Sequence, residues 1–202
     1  MSEMGALKFE CRRTPRALVV FPGFDALNFC RRRLRKCGLV GVGADGIGFG
    51  NLSGRAGLTS GFYITASGTG GIEELELNDY AQVTGWDFDG NWVASEGLAV
   101  ASSESLTHAA IYEAAADVGA VFHFHSAEMW ERLRGVVPTT SPEVDYGTPE
   151  MARAVQRLFQ TSDLRTRRIL VMGGHEAGLV AFGARPEAAL DVLLAYLTPR
   201  SA

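Results

Sequence analysis

GAVFHFHSAE, residues 119–128, is the most informative segment of this sequence. Phenylalanine and histidine alternate in it, and successive side chains of a β-strand point to opposite faces. Phe122 and Phe124 are therefore predicted to face a core, while His123 and His125 share the opposite face. The chain has only four histidines, so half of them lie on one side of one predicted strand.

The spacing of these histidines suits a metal ion. Residues i and i+2 of a strand have Cα atoms about 6.5–7 Å apart, which lets two imidazoles reach one ion. Catalytic zinc commonly takes three protein ligands and keeps a position for water or substrate. His175, in the predicted turn of VMGGHEAGLVAF (171–182), is the third candidate ligand. The alternative is that His123 and His125 form only hydrogen-bonded polar surface.

Glu104 and His108 lie four residues apart in a predicted helix, SSESLTHAAIYEAAADVG (102–119). Ser102 or Ser103 can cap this helix, and we interpret His108 as structural. Glu104, in the predicted first turn, has two interpretations. It complements the helix dipole, or it abstracts a proton next to a carbonyl, beside a metal ion and an anion site at the helix N-terminus.

Strands and helices alternate along the whole chain. Helices are predicted at about 25–37, 102–118, 149–161 and 186–197, with a short one after 126. Strands are predicted after the glycine-rich segment 38–50, in 61–68, in two segments of 79–95 joined at Asp89-Gly90, and in 120–125, 168–174 and 177–183. This alternation indicates a single layered α/β domain.

Composition excludes several classes of function. The net charge of −4 argues against nucleic-acid binding, and the basic cluster RRRLRK (31–36) is interpreted as the solvated face of one helix. No apolar run reaches the roughly 18–20 residues of a membrane span. Three cysteines without CxxC spacing favour reduced thiols, so we predict a soluble, cytoplasmic protein. Lysine occurs only at Lys8 and Lys36, which argues against Schiff-base chemistry.

Six segments together resemble the class II aldolase/adducin family, the group around fuculose-1-phosphate aldolase and ribulose-5-phosphate 4-epimerase. They occur in the family's order and span nearly the whole chain. The segments are GNLSGR (50–55), ITASG (64–68), SSE…H (102–108), AVFHFHS (120–126), YGTPE (146–150) and GGHEAGLVAFG (173–183).

The resemblance implies a fold and a site. The fold is a single three-layer αβα domain over residues 25–202 with a central, mostly antiparallel sheet, preceded by an N-terminal extension at 1–24. His123, His125 and His175 fall on the family's metal ligands, usually for zinc, and three imidazoles also accept manganese or iron. Glu104 falls on the catalytic acid/base. The phosphate-binding loops fall on Gly50, Asn51, Ser67, Gly68, Ser102 and Ser103. Family members are typically homotetramers with active sites at subunit interfaces.

The function implied is that of a metal-dependent lyase, which cleaves a small, phosphorylated ketose by a retro-aldol reaction through a metal-stabilised enediolate. A ketose-phosphate dehydratase is an alternative, because ITASG and VFHFHS also resemble the methylthioribulose-1-phosphate dehydratase branch. Iron or manganese in the same site would suit an oxygenase or decarboxylase. A non-catalytic, adducin-like interaction domain is the alternative from another class, and the retained histidines and Glu104 favour an enzyme over it.

Two features depart from the family's pattern. The segment between His125 and YGTPE is short, and it lacks the tyrosine that serves a neighbouring subunit as proton donor in the aldolases. Tyr146 belongs to the YGT motif itself, so we do not assign it that role. Glu176 follows His175 where the family usually has glycine, which predicts either a shifted histidine or a carboxylate that orients it.

Overall fold

The computed structural model describes residues 7–57 and 61–197. The described strands are Glu10–Thr14 (β1), Gly41–Val42 (β2), Gly48–Phe49 (β3), Asn51–Arg55 (β4), Phe62–Thr65 (β5), Tyr80–Asp87 (β6), Trp92–Glu96 (β7), Ala120–His125 (β8), Ile169–Val171 (β9) and Gly178–Gly183 (β10). The described α-helices are Phe24–Lys36 (α1), Ser105–Ala114 (α2), Ala127–Leu133 (α3), Pro149–Thr161 (α4), Leu164–Arg167 (α5) and Pro186–Leu197 (α6).

Eight strands form one central sheet, in the order β1-β7-β6-β5-β4-β8-β10-β9. Every neighbouring pair is antiparallel except β1 and β7, which run parallel. The strands β2 and β3 form a separate antiparallel hairpin. The predicted mostly antiparallel sheet is therefore confirmed, and β8, with its two histidines, lies inside it between β4 and β10.

Helices cover both faces of this sheet and bury two apolar cores. One core joins the sheet to α2 and α4, and the other joins it to α1, α3 and α6. Along β8, Phe122 and Phe124 pack in the core of α1 and α6, while Val121 packs in the core of α2 and α4. The alternation predicted from the sequence is thus confirmed, and it sets His123 and His125 on the face of α2.

Several local features differ from the sequence interpretation. The described part of segment 1–24 contributes β1, an edge strand that was not predicted; the boundary between residues 1–24 and 25–202 stays a prediction. Glu104 occupies the N-cap position of α2 instead of its first turn. The interpretation of cluster 31–36 as a solvated helix face is wrong for Arg31, whose side chain is buried beneath a loop. No described helix is long and apolar enough to cross a membrane.

Candidate active site

Strand register brings the three histidines together. β8 pairs with β4 on one side, where Asn51 lies opposite His123. On the other side β8 pairs with β10, where Gly178 lies opposite His125. The short turn that links β9 to β10 ends at Gly178, and it therefore carries His175 to the end of β8.

One ring nitrogen from each of His123, His125 and His175 lies within 4.8 Å of the other two. Nε2 of His125 and Nε2 of His175 are 3.0 Å apart. Nε2 of His123 is buried and has no hydrogen-bond partner among the described residues. Buried polar atoms are normally satisfied, so an unpaired imidazole nitrogen beside two further histidines fits a site that binds a metal ion.

The protonation of the cluster suits a metal ion. Burial lowers the pKa of His123 well below the usual value of 6.5, and the neighbouring His125 and His175 lower it further. Burial also lowers the pKa of His125 to about 4, and that of His175 to about 3. All three rings are therefore neutral at pH 7 and offer lone pairs. A cluster of three neutral imidazoles matches the ligand set of a catalytic zinc ion.

Asn51 contacts the innermost histidine from the neighbouring strand. Its Nδ2 lies 3.2 Å from Nδ1 of His123, and its Oδ1 has no partner in the described part of the chain. A half-turn of the amide places Oδ1 against Nδ1, where it accepts the ring N–H. Nε2 of His123 then keeps a free lone pair that faces the other two rings.

The fourth histidine lies outside the cluster. His108 is fully buried on α2, where its Nδ1 is 2.7 Å from Oγ of Ser53. The hydroxyl of Tyr112 is 2.9 Å from the same Oγ. Burial lowers the pKa of His108 to about 3, so the ring is neutral in this network. The interpretation of His108 as structural agrees with this position.

Glu104 is a buried carboxyl group with one restrained and one free oxygen. Oγ1 of Thr107 donates a 2.7 Å hydrogen bond to Oε2. Oε1 is buried without a partner among the residues described. Burial raises the pKa of Glu104 to about 7 against the lowering by the Thr107 hydrogen bond and by Lys8. A carboxyl group with a pKa near neutrality and a free oxygen is suited to give and take a proton.

All ten predicted site residues line one cavity of about 490 Å³. Three loops at one edge of the sheet supply its predicted phosphate-binding part: the start of β4, the segment after β5 and the segment before α2. The ten residues are Gly50, Asn51, Ser67, Gly68, Ser102, Ser103, Glu104, His123, His125 and His175. The structure thus brings the candidate residues together, while their roles stay predictions.

The structure adds residues that sequence reasoning did not select. Thr107 restrains Glu104, and its spacing of three residues in a helix was the available signal. Tyr146 lines the cavity, and the centre of its ring is 4.2 Å from the centre of the His175 ring. Nζ of Lys8 lies 3.7 Å from the centre of the Tyr146 ring and pairs with Asp145 at 2.6 Å. No local sequence pattern predicts these contacts, because Lys8 is distant in sequence from both Tyr146 and Asp145.

Glu176 does not reach the site. Its side chain is exposed in the turn after His175 and is absent from the described lining of the cavity. The next residue, Ala177, has a φ of 61°, a left-handed conformation that glycine adopts more readily. The expectation that Glu176 orients His175 is therefore not supported by the position of its side chain.

Solved structures with the same fold include sugar-phosphate aldolases. An L-fuculose 1-phosphate aldolase is 21% identical, with a TM-score of 0.66 over 88% of this chain and 82% of that one. The L-fuculose-1-phosphate aldolase from Thermus thermophilus is 23% identical, with a TM-score of 0.59 over 86% of this chain and 85% of that one. A sugar-phosphate aldolase from Thermotoga maritima is 14% identical, with a TM-score of 0.62 over 86% and 90% of the two chains.

At these identities the likeness establishes the shared fold. A search of proteins with curated functions found no match. The sequence model of the family described as Class II Aldolase and Adducin N-terminal domain matches residues 38–197, most of the chain. The chain therefore belongs to the class II aldolase and adducin family.

Proposed function

We propose that this protein is a metal-dependent lyase that cleaves a small, phosphorylated ketose by a retro-aldol reaction. The observation that carries this proposal is the convergence of three neutral imidazoles and a buried carboxyl group in one cavity. An interaction domain has no need of this arrangement, because burying Glu104 and three histidines costs stability unless a bound group compensates.

His123, His125 and His175 would hold the metal ion, with zinc as the first candidate and manganese or iron as alternatives. When bound, the ion supplies a Lewis acid that polarises a carbonyl group. With its amide turned so that Oδ1 accepts the Nδ1–H, Asn51 would fix the tautomer of His123 from the neighbouring strand, and the ring of Tyr146 packs on His175. These contacts orient ligand nitrogens before any ion binds.

Glu104 would carry the proton. Its Oε1 is free to accept a proton from a substrate hydroxyl group, and its Oε2 stays bonded to Thr107. Because burial raises its pKa to about 7, the carboxylate can take up this proton near neutral pH and return it in a later step. The surrounding protein excludes water from Glu104, which is about 1% exposed.

Three loops would bind the phosphate group of the substrate. Gly50 and Asn51, Ser67 and Gly68, and Ser102 and Ser103 line the cavity from β4, β5 and α2. Hydroxyl groups and backbone N–H groups in such loops bind phosphate oxygens. In Gly50 and Gly68 φ is positive, at 76° and 78°, so each allows a tight change of direction that other residues adopt with strain.

The assembly that we propose is a cytoplasmic homotetramer with active sites at subunit interfaces. Val42 and Ile47 lie in and beside the β2–β3 hairpin, line the cavity and are 46% and 43% exposed. Apolar side chains at the rim of a site support a contact with another subunit there.

The test is an assay of aldehyde release. Zinc-loaded protein is incubated with a panel of ketose phosphates, and aldehyde is detected with a coupled reductase. We expect Glu104→Gln to lower the rate by at least about 100-fold. Glu113→Gln, on the exposed side of the same helix, is the matched control and should leave the rate unchanged. Full activity of Glu104→Gln would contradict the proposal, and loss of water without aldehyde would identify a dehydratase instead.

A further inference from the structure

The cavity wall lacks the cations that a phosphate group ordinarily meets. None of its described lining residues is a lysine or an arginine, whereas Asp45 and Glu104 are acidic. A phosphate group brings nearly two negative charges at pH 7, and burying them without compensation is costly. Apart from an ion held by the histidines, the positive charge that would compensate a phosphate group has to come from residues behind those that line the cavity.

Arg31 lies directly behind that lining. It is 2% exposed, and its Nη2 donates hydrogen bonds of 2.7 Å to the carbonyl oxygens of Thr69 and Ile72. Its Nη1 donates to the carbonyl oxygen of Glu73 at 3.2 Å. Arg35, one helical turn later on α1, donates to the carbonyl oxygen of Gly70. Two arginines therefore hold four carbonyl groups of one segment, those of Thr69, Gly70, Ile72 and Glu73.

Loop 67–71, which contains Thr69 and Gly70, lines the cavity and includes the predicted phosphate-binding Ser67 and Gly68. In a trans peptide the C=O and the following N–H point in opposite directions. The carbonyl groups of Thr69 and Gly70 turn toward α1, so the amide N–H groups of Gly70 and Gly71 turn away from it.

The loop also packs against the β2–β3 hairpin. A Cβ on Gly70 would lie 2.1 Å from the carbonyl oxygen of Gly41 in β2 and 2.9 Å from Cα of Gly48 in β3. The hairpin thus packs against the loop at backbone distance. With the arginines and the hairpin both against it, the loop has little freedom to move away from a ligand.

We propose that Arg31 and Arg35 are positioning residues that select an anionic substrate, because they hold loop 67–71 in shape and place positive charge behind it. This inference rests on the proposed function, since it describes how the phosphate end of that site is built. Burial lowers the pKa of Arg31 to about 10, so its guanidinium remains charged at neutral pH. The planar guanidinium can hold several carbonyl groups at once, which an ammonium group does less well.

The test measures binding of inorganic phosphate to the zinc-loaded protein by calorimetry. The variants are Arg35→Met, Arg31→Lys and, as matched control, Arg32→Met, which removes an exposed arginine from the same helix. We expect Arg35→Met and Arg31→Lys to weaken phosphate binding about tenfold each, because each loses charge-assisted hydrogen bonds to the loop. Zinc per chain and the melting temperature should stay close to wild type in Arg35→Met, and Arg32→Met should bind phosphate like wild type.

Three results would overturn this inference. If wild type binds phosphate and both variants bind it as tightly, the arginines do not shape the site. If phosphate binding, zinc content and melting temperature fall together in Arg35→Met as well as Arg31→Lys, the role is general stability. If wild type binds zinc but no phosphate, the phosphate subsite of the proposed function fails as well. The first two results, in which wild type does bind phosphate, leave that subsite in place and overturn only the role of the arginines.

Discussion

At the scale of single residues, Glu104 combines two environments in one side chain. Thr107 restrains Oε2, while Oε1 is buried without a partner in the described structure. Burial disfavours the charged form and raises the pKa to about 7 from 4.5. Between pH 4.5 and about pH 7, Glu104 binds more protons in the folded protein than in the unfolded chain. The contribution of Glu104 to the free energy of unfolding is therefore fully present below about pH 4.5 and is lost as the pH rises through 7.

Glu104→Gln should stabilise the metal-free protein at high pH. Glutamine has no charge to bury, so the variant avoids a cost that reaches up to about 3 kcal/mol above pH 7. Near pH 5 most of this difference should disappear, because glutamate is then largely protonated in the folded protein. The histidines titrate equally in both proteins and cancel in the comparison. Denaturant unfolding with chelator at pH 5, 6, 7 and 8 measures the effect, and a pH-independent difference would contradict it.

Gly178 leaves space for the third histidine. A Cβ at this position would lie 2.4 Å from Cδ2 and 2.9 Å from Cγ of His175, so Gly178→Ala has to displace the ring. We expect zinc affinity to fall by about 10- to 100-fold, as when the support of a metal ligand is lost. Competition with a chromophoric chelator gives the affinity.

The control for this substitution is Gly85→Ala. A Cβ on Gly85 would meet its nearest neighbour, Trp92, at an ordinary 3.5 Å, far from the histidines. Its zinc affinity should equal that of wild type. If Gly178→Ala bound zinc as tightly as wild type, the position of the His175 ring against Gly178 would not matter for zinc binding, which would contradict this prediction.

At the scale of secondary-structure elements, predictability follows the strength of the local pattern. β8 is predictable because its phenylalanines and histidines alternate and one face is buried. β1, ECRRT, has mostly exposed side chains and no alternating apolar residues, and it is a strand only because β7 lies beside it. The β2–β3 hairpin has two residues per strand in a glycine-rich segment, too few for a periodic signal.

Thr148 caps helix α4. Its Oγ1 accepts a hydrogen bond from the N–H of Met151 at the start of α4, and it donates one to the carbonyl oxygen of Asp145. Thr148→Ala should therefore lower the free energy of unfolding by about 1 kcal/mol, as is usual for a lost N-cap. Urea unfolding measures this loss.

Thr161, in the last turn of the same helix, is the matched control. It is exposed, and among the described residues its hydroxyl bonds only to the carbonyl oxygen of Arg157. Thr161→Ala should change the free energy of unfolding by less than about 0.5 kcal/mol. Equal losses in the two variants would argue against a capping role for Thr148.

At the scale of the whole molecule, the cavity depends on contacts that no local pattern contains. The i, i+2 spacing predicts that His123 and His125 share a face, but only the pairing of β10 with β8 places His175 beside them. Arg31 illustrates the opposite case. Its cluster looks like a solvated helix face, and its burial follows from carbonyl groups that a loop about 40 residues away presents to it. The family resemblance identified the candidate residues from the sequence. Their positions relative to one another follow only from the folded structure.

The proposed assembly predicts a particle of four 21.7 kDa chains. Ile47→Asp places a charge on an exposed apolar position at the cavity rim, so it should reduce both the particle mass and the lyase activity. Leu98→Asp, at an exposed apolar position outside the described cavity lining, should leave the activity unchanged. Light scattering coupled to gel filtration gives the mass. A monomeric wild-type protein with full activity would contradict an interfacial active site.

The most direct test of the three-histidine metal site is the number of zinc ions per chain. Protein is stripped with chelator, refilled with zinc, dialysed and measured by elemental analysis. We predict close to one zinc ion per chain in wild type and in Glu104→Gln, and close to none in His125→Ala. No zinc in folded wild-type protein after refilling, or full zinc content in His125→Ala, would contradict the metal centre on which the proposed lyase depends.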